Sequence, residues 1–389
     1  EDSINENWPV FCKEQREAVV EVLASGKVNY WTGENGREFE NEFADFMGCD
    51  YGVALANGSV ALELALIALG IGEGDEVIVP SYTFIASASS IVLRGATPIF
   101  ADIDATTITV SPKSIENLIS PKTKAILIVH LLGRPCEMDS IMRIAQKSGV
   151  KVIEDCAQAH GATYRGKRVG SFGDVAAFSF CQDKIMSTGG EGGMLITNDE
   201  SLWETAWSYK DHGKNRRVLD QPRSDGFRWT HESIGTNWRM TEMQAVIGRL
   251  QLKKLDSWLE GRRRNALILD ESMRQFGGII LPLNNEVFGH AFYKYTIQID
   301  RESLMVGWDR DRIIAALNEG GVPCSTGICP EVYLEKAFGG VGLTYCDRLV
   351  SAKTVGENTV QFQVHPTLLK STLVKWGGII SDLFGRVIR

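Results

Sequence analysis

Between residues 52 and 197 the sequence alternates short apolar runs with longer stretches of helical period, and this alternation limits the fold more than any other feature. The apolar runs cover residues 52–56, 76–80, 97–101, 125–130, 152–154, 175–180 and 194–197, and helix-like stretches such as 59–69, 84–93 and 140–147 lie between them. Residues 126–129 are apolar at every position, so that strand must be covered on both faces. Such runs separated by helices predict an α/β domain on a mostly parallel, seven-stranded sheet with helices on either side.

The flanks read differently. Residues 13–25 and 34–47 have the pattern of two amphipathic helices around a turn-rich stretch, 26–33. Beyond Thr241 the chain is helical to about residue 276, then strand-like over 292–299 and helical over 310–317. A chain of 389 residues has room for more than one domain. The expected division is 1–255 for the N-terminal helices and the large domain, and 256–389 for a smaller α+β domain.

Charge and motif content exclude several function classes. With 41 basic against 49 acidic residues the net charge is −8, which does not suit a nucleic-acid binder. The one basic run, Arg262, Arg263 and Arg264 near Lys253 and Lys254, reads as a solvated helix face, with an anionic ligand site as the alternative. The eight cysteines form no C-x-x-C, and no histidine pair has i, i+4 spacing, so no metal centre is predicted. There is no ~18-residue apolar stretch and no signal peptide, which predicts a cytoplasmic protein without a membrane span. The chain begins at Glu1 rather than Met, as expected of a trimmed start. Neither a nucleophile elbow nor a phosphate loop nor a dinucleotide fingerprint occurs.

Four places could carry chemistry. Asn57-Gly58-Ser59 follows a strand and opens a helix, as a phosphate site or an ordinary helix cap would. Asp155 ends an apolar strand, where ligands gather in open α/β sheets, or else it caps the next segment. Ser179 ends the next strand and Lys184 follows five positions later, ahead of a glycine-rich stretch, 189–193. A lysine there is either a surface group or, in a partly dry site, an amine able to form a Schiff base. Asn237 and Arg239 precede a helix as anion-capable donors or as caps. With Phe84 after another strand, the order is phosphate cradle, aromatic face, carboxylate and lysine. Pyridoxal 5′-phosphate uses all four.

The chain resembles the DegT/StrS family of sugar aminotransferases, which have the aspartate-aminotransferase type of fold. The likeness runs from about residue 26 to 366 and is strongest over 56–63, 80–87, 154–162, 179–193 and 235–252. The resemblance implies that Lys184 carries the cofactor as a Schiff base and shuttles protons, and that Asp155 pairs with the pyridinium nitrogen. It implies that Gln158 lies near the ring hydroxyl, that Phe84 stacks on the ring, and that Gly58, Ser59 and Ser179 hold the phosphate. Asn237 would reach the phosphate of a neighbouring subunit, making a homodimer with shared active sites. Thr32, His212 and Arg239 are the expected substrate contacts. L-Glutamate would be the amino donor and a keto nucleotide-linked sugar the acceptor. A 4-keto-6-deoxyhexose is the favoured sugar, and a 3-keto sugar is the alternative. A cofactor-binding regulator and a lyase on the same fold are the other readings; retention of Lys184 favours transamination. Cys329 stands where many relatives carry an aromatic residue or His, which puts substrate contacts from that segment in doubt.

Overall fold

The computed structural model describes residues 6–219, 227–343 and 347–389; Cys346 lies outside them. The chain opens with helices α1 (Lys13–Ser25) and α2 (Asn35–Met47). Phe39, Phe43, Ala44 and Met47 recur at helical spacing in α2, and all four are buried. The helix stops at Gly48, whose φ of 78° is left-handed and suits glycine.

Next come β1 (Tyr51–Leu55), α3 (Gly58–Ala68), β2 (Glu76–Pro80), α4 (Ile85–Leu93), β3 (Thr97–Ala101), α5 (Pro112–Leu118), β4 (Thr123–Val129), α6 (Met138–Ser148) and β5 (Lys151–Asp155). A small hairpin, β6 (Thr163–Tyr164) and β7 (Lys167–Arg168), precedes β8 (Val175–Ser179), β9 (Gly193–Thr197), α7 (Glu200–Lys210) and α8 (Arg216–Leu219). The main sheet has the order β1-β9-β8-β5-β4-β2-β3. Its core pairs, from β3 to β8, are parallel, and only β9 runs against its neighbours. All seven strands coincide with the apolar runs, to within a few residues at their ends.

Both faces of this sheet are covered. Along β4, Ala125, Leu127 and Val129 enter one apolar core with residues of α3 and α4. Ile126 and Ile128 enter a second core with α2 and α6. This alternation explains why the run is apolar throughout.

The rest of the chain forms α9 (Glu242–Leu252), α10 (Leu255–Met273), β10 (Ile279–Ile280), β11 (Phe288–Gly289), β12 (Tyr295–Ile299), α11 (Arg310–Glu319), β13 (Cys324–Ser325), α12 (Lys336–Gly340), α13 (Val350–Asn358), β14 (Thr359–Phe362) and α14 (Lys370–Val387). An antiparallel sheet, β10-β12-β14-β13, packs beneath α10 and α14 in a third core. Strand β11 pairs with β6 instead. Val332, Tyr333, Phe338, Ala352 and Val355 fold back into a core of the main sheet. Among the described residues no helix is long and apolar enough to cross a membrane.

Three sequence expectations are corrected. The helical stretch from 241 to 276 is two helices, broken at Lys253 and Lys254. The strand expected over 292–299 starts at Tyr295, because Phe292 turns with φ of 49°. The arginine run is a solvated face only in part, with Arg264 exposed and Arg262 turned inward. Arg262 is buried, and its Nη1 donates to the carbonyls of Phe292 and Tyr293 at 3.2 Å each. Burial pulls its pKa down to about 9.

Candidate active site

The carboxyl ends of the parallel strands share one edge of the sheet, and the candidate residues are built there. Strand β5 ends in Asp155, and the adjacent β8 ends in Ser179. The turn after β8 carries Lys184. The turn from β1 to α3 meets this edge through Gly58: a Cβ there would lie 2.6 Å from the Ser179 Cβ, so only glycine admits this approach. Asn57 caps α3 by accepting from the Val60 N–H at 3.0 Å. It therefore fills the ordinary capping role, which leaves Ser59, exposed in the first turn, for a ligand. Backbone N–H groups and hydroxyls at a helix start form an anion cradle.

Asp155 is buried. Its Oδ2 accepts from the Ser87 hydroxyl at 2.8 Å and its Oδ1 from the Ala157 N–H at 3.0 Å. Ser87 is in turn within 2.8 Å of the Thr83 hydroxyl, which ties the carboxylate to the first turn of α4. Among the described residues no basic side chain forms an ion pair with Asp155. Burial raises its pKa despite these hydrogen bonds. A buried carboxylate without a direct ion pair, with the Lys184 charge near enough to oppose the effect of burial, fits a pyridinium nitrogen. Phe84, the N-cap of α4, is 58% exposed, and so large an exposed ring at this edge offers a face to a flat ligand. The Gln158 Oε1 accepts from the Leu132 N–H at 2.7 Å, which leaves its amide N–H groups for a ligand. The residues present therefore fit pyridoxal 5′-phosphate.

Lys184 is partly buried, with Nζ 3.1 Å from Asp183 Oδ1 and 5.1 Å from the centre of the Tyr293 ring. The Tyr293 hydroxyl donates to the other oxygen of Asp183. Burial would raise the Asp183 pKa, but Lys184 and this phenol together hold it below the usual range. His160 is buried against Phe178 and Phe180, and burial, with the nearby Lys184 charge, pushes its pKa down to about 3. It is a neutral imidazole near neutral pH. Lys294 lies 5.2 Å from the same Tyr293 ring, its pKa lowered by burial.

Asp183, Tyr293, Lys294 and His160 were missed as site residues. Asp183 and His160 lay inside the motifs already singled out. Tyr293 and Lys294 had no local signal, because the turn at 131–133 brings them in: the Ala291 N–H donates to the Gly133 carbonyl at 2.8 Å.

The remaining candidates gather elsewhere. The segment 237–241 runs beside the end of β1, with the Ala56 N–H donating to the Trp238 carbonyl at 2.9 Å. Arg239 Nη1 pairs with Asp211 Oδ1 at 2.8 Å, and Lys214 reaches the same oxygen at 2.9 Å. His212 is exposed, with φ of 61°, and its N–H donates to the Thr236 carbonyl. Thr32 is exposed in a turn whose Trp31 ring lies 4.1 Å from Lys214 Nζ. Asn237 is exposed, and among the described residues its Oδ1 accepts from the Arg239 N–H alone, at 3.3 Å. No hydrogen bond, ion pair or ring contact among the described residues links these four to Asp155 or Lys184. Cys329 is half-buried against the core around Tyr82 and Tyr333. His130, Glu154 and Cys156 meet in the interior, but Glu154 already accepts from the N–H groups of Gly170, Phe172 and Gly173 as well as pairing with His130.

The sequence model of the DegT/DnrJ/EryC1/StrS aminotransferase family matches residues 10–375. A GDP-perosamine synthase of Caulobacter vibrioides is 42% identical over 296 residues, 75% of this chain and 76% of that protein. A UDP-N-acetyl-3-dehydro-alpha-D-glucosamine 3-aminotransferase of Acidithiobacillus ferrooxidans is 37% identical over 348 residues, 90% and 88% of the two chains. The crystal structure of an aminotransferase from Psychrobacter cryohalolentis superposes with a TM-score of 0.96 at 49% identity, covering 98% of this chain and 99% of that one.

Proposed function

We propose that this chain, which belongs to the DegT/DnrJ/EryC1/StrS aminotransferase family, moves an amino group from L-glutamate to a nucleotide-linked 4-keto-6-deoxyhexose, giving an amino sugar for surface polysaccharide or glycoconjugate biosynthesis. It is a pyridoxal-phosphate-dependent sugar aminotransferase. The observation that carries the reading is the buried Asp155 carboxylate, which makes no direct ion pair among the described residues, one strand from Ser179 and with the charge of Lys184 near enough to act on it. The cofactor supplies a carbonyl carbon that takes up the amino group and a ring that spreads the negative charge left by a departing proton. In this reading Gly58, Ser59 and Ser179 hold its phosphate, Phe84 covers one face and Gln158 donates to its hydroxyl. Asp155 keeps a positive charge on the ring nitrogen. Lys184 Nζ would hold the cofactor at rest and, once freed by the amino donor, would carry a proton from the donor's carbon to the cofactor's carbonyl carbon, and in the second half of the reaction from that carbon to the sugar carbon.

The relative named for GDP-perosamine supports the favoured sugar. The relative named as a 3-aminotransferase supports the second reading, a 3-keto nucleotide sugar. A panel of 4-keto and 3-keto nucleotide sugars with L-glutamate, followed by mass spectrometry, separates them. The expected product gains an amino group at carbon 4 and keeps its other ring oxygens. Turnover of 3-keto sugars alone would establish the second reading, and no turnover of any keto sugar would refute both. The division near residue 255 belongs to the same proposal, with the parts around residues 332–338 and 352–355 returning to the large part.

The functional unit is proposed to be a homodimer with shared sites. Phe227, Trp229 and Ile234, on the segment that leads to Asn237, are large apolar side chains 80%, 82% and 92% exposed. Asn237 would serve the partner's phosphate, with Thr32, His212 and Arg239 near the partner's substrate. Mixing Lys184→Ala with Asn237→Ala subunits is expected to restore activity that neither variant has alone, because one hybrid site keeps both residues intact. Sedimentation checks the assembly, and a fully active monomer would contradict it. Failure to complement would place Asn237 in its own subunit's site.

A further inference from the structure

We propose that Trp8 is a positioning residue for Lys184, its indole N–H fixing the peptide from which the Lys184 side chain departs. The proposal rests on the role assigned above to Lys184. That residue sits in the irregular turn between β8 and β9, so no helix or strand ladder orients its backbone. Its N–H donates to the Cys181 carbonyl at 3.1 Å. Among the described residues its carbonyl accepts from one donor, the Trp8 Nε1, at 2.8 Å across 176 positions of sequence.

Trp8 is itself held on several sides. Trp258 meets its ring edge-on at 5.0 Å between centres, His365 lies nearly parallel at 6.3 Å, and the Arg262 guanidinium lies 5.0 Å away. The chain just before it is anchored as well. The Thr367 hydroxyl donates to the Asn7 carbonyl at 2.9 Å, and the Leu369 N–H donates to Glu6 Oε1 at 2.9 Å.

These contacts close a circuit around the lysine. Trp8 holds the Lys184 carbonyl. The Lys184 Nζ meets Asp183, and Asp183 accepts from the Tyr293 phenol. The Tyr293 carbonyl accepts from Arg262, and Arg262 faces the Trp8 ring. The backbone end and the ammonium end of Lys184 are thus gripped by one set of side chains, closed through a buried guanidinium. A residue outside the cofactor pocket thereby sets the direction of the reacting amine, and small errors in such a direction reduce rate steeply.

The test separates positioning from simple packing by comparing two ligands of the apoprotein. Pyridoxal phosphate bonds covalently to a lysine, whereas pyridoxamine phosphate fills the same cradle without bonding. Trp8→Phe keeps a ring and removes the N–H. It is expected to slow covalent capture of pyridoxal phosphate about tenfold, read by stopped-flow absorbance, while the pyridoxamine phosphate Kd from calorimetry stays within about twofold of wild type. Equal weakening of both ligands would reduce Trp8 to a packing residue, and wild-type behaviour with both would overturn the proposal. Tyr293→Phe opens the same circuit from the other side and must give the same split, so the idea stays testable should Trp8→Phe fail to fold. Borohydride reduction and peptide mapping of the wild type provide the control: label at a residue other than 184 would refute the Lys184 assignment itself.

Discussion

Lys184→Ala is expected to lower turnover by roughly three orders of magnitude or more, the scale of losing both a covalent attachment and a positioned proton carrier. The fold should survive. Among the described residues Lys184 makes one ion pair, to an Asp183 whose side chain is itself more than half exposed, and such pairs contribute little to stability. Asp183 also keeps the Tyr293 phenol as a donor in the variant. Loss of activity with an unchanged unfolding midpoint would therefore report chemistry. Lys184→Arg sharpens the point, since it keeps the positive charge beside Asp183 but cannot condense with a carbonyl at neutral pH. It should be as inactive as the alanine variant. Both variants should still bind pyridoxamine phosphate, and neither should retain pyridoxal phosphate after borohydride treatment and denaturation, measured by intact mass. Wild-type turnover in either variant would remove Lys184 from the mechanism.

What could be read from the sequence, and what could not, follows from the range of the contacts. The seven strands of the main sheet were readable because each is short and largely apolar, and all but β8 adjoin a helix. Asp155, Ser179 and Gly58 were readable because strand ends and helix starts are local features. The circuit from Trp8 to Tyr293 was not, since its links from Trp8 to Lys184 and from Asp183 to Tyr293 each span more than a hundred positions. The arginine run is instructive. Leu255, Leu259, Arg262, Ala266, Leu269 and Met273 fall on one stripe of α10 at spacings of three and four, and all are buried. Period alone therefore placed Arg262 on the inner face and Arg264 outside, but composition prevailed in the reading. The long terminal helix α14 was passed over although Leu373, Trp376, Ile380, Leu383 and Phe384 follow the same rule. Strands β10 and β13 have two residues each, too few to show any period. Asn237 remains a matter of resemblance, because its proposed partner is on another chain.

Asp155→Asn is expected to lower kcat by roughly 10²–10³-fold, the usual loss when a charge that stabilises the transition state is removed. The substitution is nearly isosteric. An asparagine oxygen can still accept from the Ser87 hydroxyl or the Ala157 N–H, so the change isolates the charge. The apoprotein should respond in the opposite direction. Burial raises the Asp155 pKa, so the unfolded chain gives up this proton more readily than the folded one. The ionised carboxylate thus costs the apoprotein stability, a cost absent below the unfolded pKa of ~3.9 and growing as pH rises from there towards the folded value. The asparagine variant has no such cost. Its apo form should unfold at or above the wild-type temperature near neutral pH, with the advantage shrinking as the pH is lowered towards 4. Addition of cofactor should reverse the order, because only the wild type gains a pairing with the ring nitrogen. Thermal scans of both proteins, with and without pyridoxal phosphate at several pH values, read this crossover. If the variant is less stable than wild type in the apo form and both gain equally from the cofactor, Asp155 is a structural carboxylate and the ring nitrogen has another partner.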